Sequence, residues 1–502
     1  MGAAERMRTV EDSTPLNGDT IDVGARIAWT VRMARLTADP GIDNRLRTLA
    51  DLIGSSPAHL SRVETGQRRD GAVIDGYERV FGMPRGSLRA AIEVLCRTFP
   101  HSSPRDLDPG HVIRDVATLS ALTASIESGR PVKAGEWLAW ASAMAQDGNI
   151  GLPAPQMYAI VVRLISELAR SQGHPYPVRY EALARLRSSA YGAVVLDAVK
   201  AHAARPYAAG LYDVLSAAAE CNTPDAVEWF LTLLEGEDEG LAVGGALALE
   251  NLGAITGPEF WGPVAARIVA VSDTAEPGSP AATWSAHLLR LIPAAVRPAL
   301  SARPTRPLPP AVTLPTAERG PDNHLWVSCV AAAHDVTRGL GLTDQPMLAR
   351  LLYDIAFGHW ETRAVTSYML LDALPRVSDR LGAAFATLLD TVDDEAARDR
   401  ILRRVSYSLF AHDASMFGEW IDSDIDSMRQ AAFIAAGPAG IHLPAQMLLE
   451  HAGKPGFARA TLYSAGMSSH PVLGELATRP EVPERVRVSA AWWRDAGGML
   501  RD

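Results

Sequence analysis

Cysteine is scarce: Cys96, Cys221 and Cys329 are few, far apart and odd in number. That excludes a disulfide framework and a zinc-finger spacing, and it points to a reducing cytoplasm. Long hydrophobic runs are missing too. The best stretch, 241–249, is short and ends at Glu250 and Asn251, so the sequence predicts no membrane span. The first residues are polar and include Glu5, Glu11, Asp12 and Asp19, which does not resemble a signal peptide. Lysine is nearly absent, with only Lys133, Lys200 and Lys454, and GC-rich coding accounts for that bias. Known catalytic signatures are also lacking. There is no glycine-rich loop ending in Lys-Ser/Thr, since Ala452-Gly453-Lys454-Pro455-Gly456 has neither the spacing nor the hydroxyl. No H-E-x-x-H and no G-x-S-x-G occurs. The expectation is a protein that is not an enzyme and holds neither metal nor cofactor.

What is present is a long chain with large apolar faces. At 502 residues and 47% hydrophobic content it exceeds one ordinary core, so two to four domains are expected. Net charge is −10, unevenly spread. Residues 21–99 carry twelve Arg against nine acids, a balance of +3 that leaves −13 for the remainder. An acidic body behind a mildly basic head lowers non-specific affinity for nucleic acid and confines contact to the head.

The organising stretch is 45–69, RLRTLADLIGSSPAHLSRVETGQRR. It reads as two short helices joined by a tight turn. Leu49, Ala50 and Ile53 face inward from the first. Gly54 suits the left-handed turn, Ser55 or Ser56 can cap the second helix, and Pro57 fits its first turn. Leu60 and Val63 share one face of that second helix. The opposite face presents Ala58, Ser61, Arg62 and Thr65, and Gln67, Arg68 and Arg69 follow at once. A small polar face with one arginine, flanked by further arginines, suits a DNA major groove. Arg can bridge guanine O6 and N7 while its neighbours bind phosphate.

This stretch resembles the helix-turn-helix of the Cro and phage-repressor (XRE) family, most strongly over L-A-x-x-x-G and L-S-R-V-E-x-G. The resemblance covers about 80 residues. It implies base contacts near the start of the third helix, at Pro57 and Ala58, and again at Arg62. It implies phosphate contacts at Arg45, Arg47 and 67–69. The full expected footprint is Ser56, Pro57, Ala58, Ser61 and Arg62 on bases. On phosphate it is Arg45, Arg47, Ser55, His59, Thr65, Gln67, Arg68 and Arg69. The chain departs from the family at Leu46, where Gln is common, and in its longer link, 37–44.

In chain order, 1–20 reads as a flexible arm and 21–99 as a five-helix helix-turn-helix domain. Its first helix is capped by Asp22 and runs to about Leu36; its fourth and fifth span about 73–81 and 85–99. Arg32 and Glu64 are placed to pair across it. The stretch 100–104, PHSSP, reads as a linker. From Pro109 on there is no strand grammar, only Ala- and Leu-rich amphipathic segments. Residues 109–292 form a first block, with helices near 111–128, 133–147, 153–171, 177–203, 207–220, 223–235, 239–253, 259–272 and 280–292. Residues 293–322 form a Pro-rich connector, and 323–502 a second block. There the form x-x-R-x-A-A/T recurs about every 29 residues and resembles HEAT-type repeats. The expected fold is all-α, with the five-helix head followed by an α-solenoid-like region.

Other features have a functional and a plainer reading. The aromatic groups Trp137 with Trp140, Trp229-Phe230, Phe260-Trp261 and Trp492-Trp493 could line a ligand groove, but helix-packing core explains them as well. His359-Trp360-Glu361 and His412-Asp413 set His beside acids, yet neighbours on a helix point apart. The acidic runs 235–239 and 422–426 fit turns and solvated helix ends better than cation sites. The expected function is a cytoplasmic, nucleoid-associated transcriptional regulator. Its partner would be a duplex DNA operator bound as a homodimer, and its helical body would dimerise, bind a peptide or small molecule, or recruit a protein. The rivals are an interaction scaffold whose head serves protein contacts, and an effector controlled by its own head.

Overall fold

The computed structural model describes residues 10–18, 20–39, 41–99, 113, 115–146, 151–308, 319–407, 409, 414–454 and 456–502. Among them the regular structure is helical, with no strand beyond one isolated bridge, between Ser171 and Leu500. No helix among them is long and apolar enough to cross a membrane. The linker at 100–104 and His412-Asp413 lie outside the described residues.

Two compact units form, and neither is continuous in sequence. The first gathers the described residues of Met1–Gly110, Leu314–His359 and Arg363–Val405; the second gathers those of His111–Thr313, Trp360–Thr362 and Ser406–Asp502. The linear blocks expected from sequence therefore differ from the folded units. The head shares a unit with part of the last block.

In the first unit the head comprises α1 (Val23–Leu36), α2 (Leu46–Ile53), α3 (Pro57–Glu64), α4 (Gly71–Val80) and α5 (Ser87–Thr98). Each start has a local cause. The Asp22 carboxylate accepts from the Ala25 N–H, Asp70 from Ala72 and Val73, and Ser56 from His59, each filling donors that a helix start leaves empty. For α5 the cap comes from further away. The buried Glu78 carboxylate accepts from the backbone N–H groups of Gly86, Leu88 and Arg89. The same unit also holds His324–Gly339, Pro346–Phe357, residues 363–372, Leu381–Leu389 and Glu395–Val405.

The expected flexible arm is corrected where it is described. Val10, Asp12 and Leu16 are buried. The segment is held because Arg350 donates to the carbonyls of Thr14 and Pro15, and Arg363 to that of Leu16. The connector is corrected in part. Backbone N–H groups of Thr305 and Arg306 bind the Asp273 carboxylate, and Arg319 binds the carboxylate of Glu11 and the carbonyl of Thr14. Residues 309–318 lie outside the described chain.

The second unit is built from repeated helices. Ala134–Met144, Pro175–Arg187, Leu211–Ala218, Glu239–Thr256 and Pro280–Leu291 stack in succession. Ala154–Leu168 packs on Gly192–Ala203, and Pro224–Glu235 on Trp261–Thr274. Later in the chain Asp426–Ala436, Ala458–Met467 and Glu484–Ala496 stack the same way. Contact between alternate helices is how helical repeats bury a continuous core. The single helix expected over 177–203 is two, broken after Arg187. Its guanidinium donates to the carbonyls of Gly192 and Ala218, and a side chain at 192 would meet the Arg187 carbonyl at 2.6 Å. The aromatic groups serve mainly as core. Trp137, Trp140, Phe230, Trp261 and Trp493 are buried, and the indole N–H groups of Trp137 and Trp140 donate to Glu167 and Thr123.

Candidate nucleic-acid interface

The surface of interest is built by α2, α3 and the three residues between them. Gly54 turns the chain with φ 76° and ψ 40°, a left-handed conformation that glycine adopts without a Cβ clash. The Ser55 N–H returns to the Ala50 carbonyl at 2.8 Å. Ser56 then caps α3, its hydroxyl accepting from the His59 N–H at 3.2 Å, and Pro57 opens the helix. At the far end Gly66, with φ 75°, lets the N–H groups of Gln67 and Arg68 both reach the Arg62 carbonyl, which closes the last turn. The Gly66 Cα also lies so near α1 that a Cβ would meet the Gly24 carbonyl oxygen at 3.4 Å.

One face of α3 is core. Leu60, Val63 and Glu64 are buried. Glu64 is held by two bonds from Arg35, at 2.6 and 2.5 Å, and by the Tyr77 hydroxyl at 2.5 Å. Burial opposes the charge on Arg35, but Glu64 outweighs it and raises the Arg35 pKa. Burial, with Glu64 beside it, keeps the Tyr77 hydroxyl protonated. The expected Arg32–Glu64 pair is thus taken mainly by Arg35, one turn further along α1. Arg32 remains within electrostatic reach of Glu64.

The opposite face is open. Ser56, Pro57, Ala58 and Arg62 are exposed and Ser61 is half-buried. Of the residues expected on phosphate, Arg45, Arg47, Gln67 and Arg68 are exposed, whereas Ser55, His59, Thr65 and Arg69 are half-buried. His59, Thr65 and Ser56 are among those of the thirteen that carry internal bonds. The His59 ring meets the Asp70 carboxylate at 2.7 Å, the Thr65 hydroxyl donates to the Ser61 carbonyl at 2.8 Å, and Ser56 serves as the cap. His59 therefore sits at the edge as a braced residue. Burial works against the Asp70 charge, and bonds from His59 and the N–H groups of Val73 and Ala72 lower its pKa.

Sequence reasoning missed Asp43 and the support beneath α1. The Asp43 carboxylate accepts from the Thr48 hydroxyl at 2.8 Å and the Arg45 N–H at 3.1 Å, so it organises the start of α2. The signal was there in D-x-x-x-x-T at the end of the link. Beneath α1, the fully buried Arg26 binds Asp12 at 2.8 Å, Asp354 at 2.5 Å and the Ser367 hydroxyl at 3.0 Å. Arg350 also reaches Asp354, at 3.3 Å. Burial alone would raise the Asp12 pKa; Arg26 and Arg350, with the Thr14 hydroxyl, hold it down at about 2. No local pattern announces a pair whose members are 328 residues apart. This buried cluster fixes α1, and through Arg35, Glu64 and Gly66 it fixes the back of α3.

Among the described residues no group of three or more His, Cys, Asp or Glu is placed to hold a metal ion. Comparison with protein-family models and with curated proteins finds no match for the chain.

Proposed function

We propose that the chain is a sequence-reading DNA-binding regulator of transcription, with α3 lying in the major groove. One observation carries this reading. The face formed by Ser56, Pro57, Ala58 and Arg62, with Ser61 half-buried among them, stands open to solvent while the opposite face is locked in core, and exposed Arg45, Arg47 and Arg68 flank it. Arg62 reads a base edge, and the flanking arginines with Gln67 hold phosphates on either side. A single eight-residue helix gives modest affinity, so the chain acts as a homodimer on a pseudo-palindromic operator. The helical body supplies dimer contacts or senses an effector, and the regulator works in the cytoplasm on the nucleoid. No catalytic role is assigned to it.

Selection of bound sequences from a random duplex pool, followed by anisotropy titration, tests the reading. Arg62→Ala is expected to weaken the selected operator by roughly 1–3 kcal/mol and to relax choice at one base position. Arg68→Ala is expected to weaken all sequences alike and to reduce the slope of log K against log salt by about 1. An unenriched pool, or an Arg62→Ala variant with unchanged affinity and sequence choice, overturns it.

A further inference from the structure

The second unit holds a cavity of about 150 Å³ whose walls include Arg205, Tyr207, Asp238, Leu241, Arg459 and Arg485. That is smaller than the pockets that take drug-sized ligands, roughly 300–1,000 Å³, and it suits one compact polar group. The lining residues include three arginines and one carboxylate, a formal balance of two positive charges. Asp238 is itself engaged: it caps Glu239–Thr256 by accepting from the Leu241 N–H at 3.1 Å, and it pairs with Arg485. Arg459 makes only a long 3.4 Å bond to the Ala208 carbonyl among the described residues. Arg205 has no side-chain hydrogen bond or ion pair among them.

Two further facts describe the cationic wall of the cavity. The Arg459 guanidinium lies against the first turn of Glu239–Thr256, close enough that a Cβ on Gly240 would overlap it. A helix start carries partial positive charge, and the one carboxylate of the cavity walls that stands there with Arg459, Asp238, is already shared with the Leu241 N–H and Arg485. The Cζ atoms of Arg485 and Arg459 lie over the rings of Tyr207 and Tyr212, 5.1 and 5.8 Å from their centroids. Stacking of this kind holds a guanidinium in place while its in-plane N–H donors stay available for an oxyanion. Tyr207 itself has φ 49°, a left-handed conformation that costs energy for a bulky side chain.

We propose that this cavity binds a phosphate dianion, either inorganic phosphate or the phosphate group of a small phosphorylated metabolite. Two net charges match a dianion better than a single carboxylate, and Arg205 with the remaining N–H groups of Arg459 supplies donors without a hydrogen-bond partner among the described residues. The site stands independently of DNA reading.

Isothermal titration of the full chain with sodium phosphate, glycerol 3-phosphate and sodium acetate, at constant ionic strength, tests it. Phosphate or its monoester is expected to bind one to one and about tenfold more tightly than acetate. Arg459→Gln is expected to weaken that binding about tenfold. Asp238→Asn keeps a capping oxygen, removes the competing carboxylate, and is expected to tighten binding about threefold. Circular dichroism checks that both variants fold. Tighter binding of the monoester assigns the group to a metabolite, and tighter binding of inorganic phosphate assigns it to the free ion; either supports the site. Acetate binding as tightly as phosphate, or a folded Arg459→Gln chain binding like the parent, overturns it.

Discussion

Asp12 keeps its charge in a place with no exposure to solvent because two arginines surround it. Burial pulls its pKa up and Arg26 and Arg350 pull it down, leaving it at about 2 against an ordinary 3.8. An acid depressed in the folded state binds fewer protons there than when unfolded. The stability it contributes is therefore complete above pH 3.8 and is lost as pH falls toward 2. The size is about 2 kcal/mol. Urea unfolding at pH 5 and at pH 2.5 measures it: the parent should lose more stability across this window than Asp12→Asn, by about that amount. Equal losses would show that the Asp12 charge is not linked to folding. At the same scale, Arg62 is governed by exposure. It has no part in the core, so its replacement should leave stability nearly untouched while changing DNA binding.

At the scale of elements, α2 and α3 owe their position to a few close approaches. Gly76 in α4 lies under α2, where a Cβ would sit 2.7 Å from Ile53 Cγ2. Ile53 is the last residue of α2 and precedes the turn at Gly54. Gly76→Ala should push Ile53 aside and cost roughly 1–3 kcal/mol of stability, with the loss read by thermal unfolding and localised to α2 by amide exchange. An unchanged melting temperature would mean that Ile53 repacks freely. The α2–turn–α3 stretch was legible in sequence because its causes are local: Gly54, the Ser56 cap, Pro57 and the inward spacing of Leu49, Leu60 and Val63 all lie within fifteen residues. The open face of α3 follows from the same periodicity. The break after Arg187 was not legible, since it depends on carbonyls from another helix. Nor was the burial of Val10, Asp12 and Leu16, because the arginines that fix their segment, Arg350 and Arg363, come from far along the chain. The aromatic groups could be read either way until their burial was known.

For the molecule as a whole, the head is no bead on a string. Arg26, fully buried in α1, meets Asp354 in Pro346–Phe357 and Ser367 beyond it, within the same compact unit. Burying two charges is costly, and their attraction only offsets that cost when both are present. Removing one partner therefore hurts more than removing both. Asp354→Ala should destabilise the unit by about 3–5 kcal/mol, since it leaves Arg26, Arg350 and Arg363 with less compensating charge. Replacing Arg26 by Met and Asp354 by Leu together should recover much of that loss, because the space is filled by apolar atoms and one charge of each sign is gone. Chemical denaturation of the two variants separates the cases. If the cluster also sets the posture of α3, the Asp354→Ala chain should lose operator affinity at temperatures where it is still folded. A variant that is destabilised yet binds the operator like the parent would confine the cluster to stability alone. The sign of the double replacement is the sharper outcome: a sum of two separate losses would mean that Arg26 and Asp354 do not act as a pair, and that the head is held to the helices of 324–405 by apolar packing instead.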